Sequence, residues 1–374
     1  MNSLPSKKWE NVPFETWKYE EQTKVKHQVL KYYIPQWLGV LGSFNSRLNY
    51  IDGFGGIGAY HTNEDLKEGQ YLSKSYGSPV FSALAINKLK MAGRVKEANI
   101  LIIDIDKDNL INIDKILKFE GIDTNKINYI NGDFDKNINK LLDKVKKLAP
   151  TFFMVDPFGY SQIKINTLER IMSHKRSEIL LNFMYNGIQR WVAYPLMDVH
   201  FDSLFGSSRW RDYINETTST KEKHLVDLFW NSCKRFAKFV YPFRLGFPDR
   251  KMPYYYLFHL SNHRKGCILM KASFAKFNQG DLEYKGTNNR QLSFDFIENQ
   301  NRKDWKKLLL ARFGGNSTSY KDLLDRIIDE IPLTESVIKK ILQNMEREQL
   351  IEINAGGRGR KNGIEETDII IFKA

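Results

Sequence analysis

The chain has 374 residues, 42% of them hydrophobic and 27% charged, a composition that excludes a disordered chain and leaves room for more than one domain. No apolar run has the length of a membrane span, and the polar start, Met1 to Trp9, lacks the apolar segment of a signal peptide, so a cytoplasmic chain with no membrane partner is expected. The net charge of +13 points to polyanions, nucleic acid first; a Lys- and Asn-rich chain from an AT-rich genome would carry the same excess. Cys233 and Cys267 form no CxxC pair, and His259 and His263 lack an HExxH context, so no metal site is expected.

Thr23 to Leu41 reads as an amphipathic helix rich in aromatic residues that Pro35 kinks or ends. Leu48 to Ile51 reads as a buried strand, followed by glycines 53, 55, 56 and 58 and a polar loop from His61 to Tyr76. Ser78 and Pro79 mark a helix start, with Ser78 as the N-cap, and the helix runs to about Lys90. Strands over Asn99–Ile103, Ile127–Ile130, Phe152–Val155 and Glu178–Phe183 then alternate with helices over Asp106–Phe119, Phe134–Leu148 and Ile165–Met172. That alternation, with strands that are continuous apolar runs, predicts βαβ units and a parallel sheet covered on both faces. A helix over Lys221–Phe239 follows. Tyr254–His259 and Cys267–Lys271 read as an antiparallel pair closing the sheet, and Gln291–Asn301 as a domain boundary.

The C-terminal part changes character. Helices over Lys303–Arg312, Tyr320–Ile331 (capped by Ser319) and Thr334–Gln349 precede strands at Leu350–Ile353 and Ile369–Phe372. The loop between the strands is basic and glycine-rich, from Gly356 to Gly363. This is the order of a winged helix–turn–helix. The expected divisions are an N-terminal helical extension over 1–45, a Rossmann-like α/β domain with helices on both faces over 46–290, and a winged-helix domain over 303–374.

Ligands of open parallel sheets bind beyond the carboxyl ends of the strands, so the residues there carry the functional reading. The first strand ends in Asp52-Gly53-Phe54-Gly55-Gly56-Ile57-Gly58. No Lys-Ser/Thr follows to make a phosphate-binding P-loop, and the next strand's acid arrives too late for a nicotinamide site. An acid directly before the glycines suits the cationic amino-acid end of S-adenosylmethionine better; the alternative is a tight turn without a ligand. On this reading Asp52, Gly53, Phe54, Gly55 and Gly58 hold one end of the cofactor and Asp104 accepts from the ribose hydroxyls. Asp133 accepts from the adenine amino group and Phe134 lies on the ring, unless Asp133 only caps the following helix.

The fourth strand ends in Asp156-Pro157-Phe158-Gly159-Tyr160, which resembles the Asp-Pro-Pro-Tyr motif of amino-group methyltransferases. The resemblance implies that Asp156 and the Pro157 carbonyl accept from a target amine and that Tyr160 stacks on an extruded base. Phe158 and the inserted Gly159 depart from that motif. No Pro-Cys pair exists, which argues against attack on cytosine C5 through a thiolate.

The run Lys24 to Trp37, the segment Tyr50 to Gly58, Gly77-Ser78-Pro79 and Asp156-Pro157-Phe158-Gly159 together resemble the three-Cys-motif partner protein family, over roughly residues 20 to 280. The resemblance implies a class I methyltransferase-like core and a separate iron–sulfur protein as partner, but no substrate. The expected activity is therefore S-adenosylmethionine-dependent methylation of DNA or RNA, at an amino group of a base. The alternatives are a catalytically silent nucleic-acid-binding partner of such an iron–sulfur protein or of a defence complex, and a regulator dominated by its winged helix. Lys339 and Lys340 on the third C-terminal helix, with Arg358, Arg360 and Lys361 in the wing, are the expected nucleic-acid contacts.

Overall fold

The computed structural model describes residues 5–215, 218–245, 255–277, 302–355 and 363–373. Its centre is a seven-stranded sheet. Five strands are parallel: β1 (Arg47–Asp52), β2 (Glu97–Asp104), β3 (Ile127–Asn131), β4 (Thr151–Val155) and β5 (Ser177–Phe183). Two more strands, β6 (Phe239–Leu245) and β7 (Tyr255–Ser261), complete it, β7 running antiparallel to both β5 and β6. The order is β3-β2-β1-β4-β5-β7-β6, which is that of class I methyltransferases.

Alternate residues of each strand serve two apolar layers. Tyr50, Ile102, Phe152 and Met154 face one, against helices Glu21–Gly42, Ser78–Met91 and Arg264–Phe277. Ile51, Ile103, Phe153 and Val155 face the other, against helices Phe134–Lys144, Ile165–Ser173 and Thr218–Lys234. Because strands β1 to β5 are parallel and in register, Asp52, Asp104, Asn131, Asp156 and Phe183 all come to one edge of the sheet.

Several expectations are corrected. The first helix continues through Pro35 to Gly42, and at the next helix Gly77, not Ser78, is the N-cap. The expected loop from His61 to Tyr76 contains helix Asn63–Glu68, started by a reciprocal Thr62–Asp65 capping box. It also supplies strands to a small sheet in which Trp17–Lys18 pairs with Ala59–His61. The helix expected over Lys221–Phe239 ends at Lys234, and β6 follows. Pro242 disguised that strand; an edge position, which β6 occupies, tolerates the missing donor. Cys267–Lys271, expected as a strand, lies within helix Arg264–Phe277, because so short an apolar run does not separate a strand from a buried helix face.

The C-terminal module has helices Arg302–Phe313, Tyr320–Ile327 and Glu335–Arg347 and a three-stranded sheet ordered Ser317–Ser319, Ile369–Phe372, Ile351–Asn354. Ser319 caps its helix through a bond from the Asp322 amide. Thr334 holds the N-cap position of the third helix but makes no side-chain cap bond. Arg358, Arg360 and Lys361, and the expected boundary at Gln291–Asn301, lie outside the described residues.

The module is bonded to the large sheet. Asp329, almost fully buried, accepts from Lys234 Nζ at 2.8 Å and from the Val240 amide of β6 at 2.9 Å. Asp325 accepts from Lys238 at 2.8 Å and from Arg264, whose other nitrogen reaches Glu366 at 3.0 Å. Lys271 is buried and donates to the carbonyls of Ile328 and Ile331, both at 2.6 Å. Burial pushes its ammonium pKa down to about 8. Asp329→Ala should cost about 2–4 kcal/mol, because it strands the buried Val240 N–H and removes the partner of Lys234. Urea unfolding followed by tryptophan fluorescence measures the loss.

Candidate functional site

The glycine turn after β1 is held from below by backbone bonds: the Gly53 amide to Met154 O at 2.8 Å and the Gly55 amide to Ile103 O at 2.9 Å. Gly56 and Gly58 take left-handed φ of 59° and 83°, which only glycine adopts cheaply. At Gly53 the reason for glycine is steric. A Cβ there would stand 2.6 Å from the Phe134 ring, which also packs 5.3 Å from Phe54. Phe134 is buried against the turn.

Asp104 is the knot of this edge. Its Oδ2 accepts from the Gly56 amide at 2.7 Å, and its Oδ1 from the Asp106 amide at 2.8 Å and Asn109 Nδ2 at 3.3 Å. Its backbone oxygen accepts from the Gly132 amide at 2.9 Å. The side chain is nearly inaccessible, and burial raises its pKa against these bonds. Asp133 caps helix Phe134–Lys144 by accepting from the Lys136 amide at 2.8 Å, and Asp106 caps the helix after β2.

Asp52 is fully buried. It accepts from Tyr50 Oη at 2.8 Å and from the Phe54 amide at 3.3 Å. Desolvation outweighs the hydrogen bonds from Ser78, Tyr50 and Phe54, and the nearby Asp156 charge adds to it, so the Asp52 carboxyl is pushed up to about 7.

Asp156 stands just beyond β4. One oxygen accepts from Asn182 Nδ2 at 2.7 Å, and the other pairs with the buried Lys26 ammonium of helix Glu21–Gly42. Asn182 Oδ1 is buried without a hydrogen-bond partner. Next to Lys26 in the chain is His27, whose Nδ1 is bonded to Tyr19 at 3.0 Å, and Tyr19 is stacked on Tyr60 at 5.1 Å. Burial, then Lys26 and Lys31, hold His27 neutral. Trp17 bridges the opening. Its ring meets Phe158 edge-on at 5.9 Å and lies 3.5 Å from the position of a Cβ on Gly56.

The expected site residues thus separate. Asp52, Gly53, Phe54, Gly55, Gly58, Asp104, Asp133 and Phe134 border one edge of the sheet, joined there by Asp156 and the buried Pro157. Tyr160 instead stacks on Phe201 at 4.7 Å and 16°, in the layer of helix Asp198–Phe205. The motif's turn is closed by Gln162 Oε1, which accepts from the amides of Phe158 and Gly159. Lys339 pairs with Glu335 at 3.2 Å, and both Lys339 and Lys340 lie on the third helix of the winged module.

Lys26 and Asn182 were not anticipated. Both left a signal: Lys26 shares the stripe of Leu30, Tyr33 and Trp37 in the first helix, and Asn182 interrupts the apolar run of β5. His259 is buried against Glu178 at 3.2 Å, and His263 is exposed in the turn beyond β7. Among the described residues no group of three or more His, Cys, Asp or Glu is placed to hold a metal ion. No described helix is long and apolar enough to cross a membrane.

Strand order and glycine turn define a class I methyltransferase-like α/β domain carrying a C-terminal winged helix. A family model described as GMT-like wHTH domain matches residues 281–355. No curated protein matches the chain. Among solved structures the chain is similar to a Legionella pneumophila str. Philadelphia 1 protein described under DUF519, at 13% identity over 71% of this chain and 97% of that one, TM-score 0.40. It is also similar to human methyltransferase-like protein 13 in complex with SAH (11% identity, 69% and 92% covered, TM-score 0.33). A third is an rRNA methylase from Streptococcus thermophilus (10% identity, 61% and 92% covered, TM-score 0.30).

Asp52 also sets a pH dependence. Its folded pKa of about 7 lies above the value of about 4 in an unfolded chain. The folded state therefore binds the extra proton, and this contribution to stability is full below pH 4 and lost as pH rises to 7. Asp52→Asn should flatten the fall in stability between pH 4 and 7, where one such group gives a slope of at most about 1.4 kcal/mol per pH unit. Thermal melts across that range measure it.

Proposed function

We propose that the chain is an S-adenosylmethionine-dependent methyltransferase acting on nucleic acid, at an amino group of a base. The observation that carries this reading is the pair of acceptors at the ends of β4 and β5. Asp156 is oriented by Asn182 Nδ2, and the buried Asn182 Oδ1 beside it has no donor. An amine presents two N–H groups, and these two oxygens would accept both. That would turn the nitrogen lone pair outward and leave a carboxylate within reach of the proton the amine sheds.

The residues present fit the cofactor. A buried carboxyl poised at about 7 suits a cationic ammonium, which would draw it into its charged form, and the glycine turn beside it allows close backbone approach. Bound there, S-adenosylmethionine would supply an electrophilic methyl group. Asp52 would hold the amino-acid end; Asp104, Asp133 and Phe134 would border the nucleoside end. Gly53, Phe54, Gly55 and Gly58 would form the cradle, and Pro157 would present its carbonyl to the acceptor. Lys339 and Lys340 would hold phosphates, together with Arg358, Arg360 and Lys361. The matched winged-helix family and the net charge of +13 support that role.

A second reading, a silent scaffold serving a three-Cys-motif iron–sulfur protein or a defence complex, is favoured by two contacts. Lys26 already neutralises Asp156, and Tyr160 is committed to Phe201. Turnover separates the two. Asp156→Ala should abolish transfer of a tritiated methyl group to mixed DNA and RNA while changing cofactor affinity less than threefold by calorimetry. Absence of transfer by the wild-type chain with cofactor bound selects the scaffold. Cofactor affinity should rise as pH passes from 6 to 8 and Asp52 ionises, and Asp52→Asn should remove that rise.

A further inference from the structure

A second surface borders the same sheet edge. Helix Tyr185–Trp191 leaves the carboxyl end of β5, and its Gly187 lies against the Tyr160 ring, a Cβ there standing 3.4 Å from it. The segment is anchored by Ile188, Val192 and Phe201, all buried. Between those anchors the chain leaves large apolar groups outside: Trp191 is 44% exposed, Tyr194 53%, Leu196 87% and Val199 73%. Folding does not use them, and so concentrated a patch marks a binding surface.

Its chemistry narrows the occupant. The two rings lie 5.1 Å apart, tilted by 55°, beside the exposed Arg190. The nearby carboxylates Asp198 and Asp202 are both bonded to Arg211, at 2.7 and 2.8 Å, so they do not oppose a polyanion with free charge. Exposed aromatic faces with a cation alongside are the recognition elements for unstacked bases. Paired bases are buried in their stack and offer no ring face.

We propose that Trp191 and Tyr194 form a stacking platform for unpaired bases flanking the target, so that the acceptor is single-stranded or locally opened nucleic acid. The proposal rests on the nucleic-acid reading above. It also gives the site the aromatic contact that Tyr160, packed on Phe201, does not supply.

The test measures binding of the full chain to a labelled single strand of about 16 nucleotides and to the matching duplex, by fluorescence anisotropy. Trp191→Ala and Tyr194→Ala should each weaken single-strand binding roughly 5- to 100-fold. Duplex affinity and the salt slope should stay unchanged, since no phosphate contact is lost. Trp191→Phe should retain most of the affinity. A double alanine variant that binds single strands like the wild type overturns the platform. So does one whose only change is conversion of a concentration-dependent dimer into a monomer in sedimentation, which assigns the patch to a second copy of the chain. Failure of the wild-type chain to bind either nucleic acid defeats the underlying reading instead.

Discussion

The carboxyl edge of the sheet depends on one buried carboxylate. Asp104 ties the glycine turn after β1 to the end of β2, and its backbone oxygen fixes the turn after β3. Three hydrogen bonds from N–H donors offset part of its burial cost, so a position that looks like a ligand contact from the sequence has a structural role. The two roles share the same physics. A carboxylate that organises backbone amides into a fixed cradle lowers the reorganisation needed when a ligand enters. Losing Asp104 would therefore loosen the cradle as well as remove one acceptor.

The second constraint is electrostatic. Asp156 is close enough for its charge to raise the pKa of Asp52. Neighbouring carboxylates do not both ionise cheaply, and the chain answers them differently. Asp156 receives a buried lysine, and Asp52 receives only neutral donors. A buried pair of this kind gains little net stability over apolar packing, but removal of one partner is costly. Lys26 thus gives Asp156 a charged partner. Asp52 is left responsive to whatever cation approaches it.

The fold was largely legible because its strongest signals are local. Four strand-end acids arrive in order, each after an apolar run, and the register of a parallel sheet forces them to one edge. The illegible parts depend on contacts between distant segments. Lys26 and Asp156 are 130 positions apart, and no periodicity links them. Tyr160 looked like a stacking residue because the motif it resembles uses one there; that its ring packs on Phe201 could not be read from the sequence. In β6, Pro242 and the flanking helix masked an edge strand whose register only β7 supplies. The winged helix was read from element order alone, and its third strand, Ser317–Ser319, was too short to announce itself.

The way the winged module is attached changes what it can contribute. A tethered module would add affinity through effective concentration, limited by linker length. Here the attachment is a set of bonds, most of them buried or half-buried, from Lys234, Lys238, Arg264 and Lys271 to Asp325, Asp329 and two backbone carbonyls. The apolar core continues across it, joining Phe243 and Phe274 of the large domain with Trp305, Tyr320 and Ile370 of the module. Local opening of such a contact exposes charged groups whose partners are lost together, so the two parts resist separation as a unit. By the register of β5, β7 and β6 this attachment lies near the end of β5 that starts at Ser177, opposite the edge that carries Asp156.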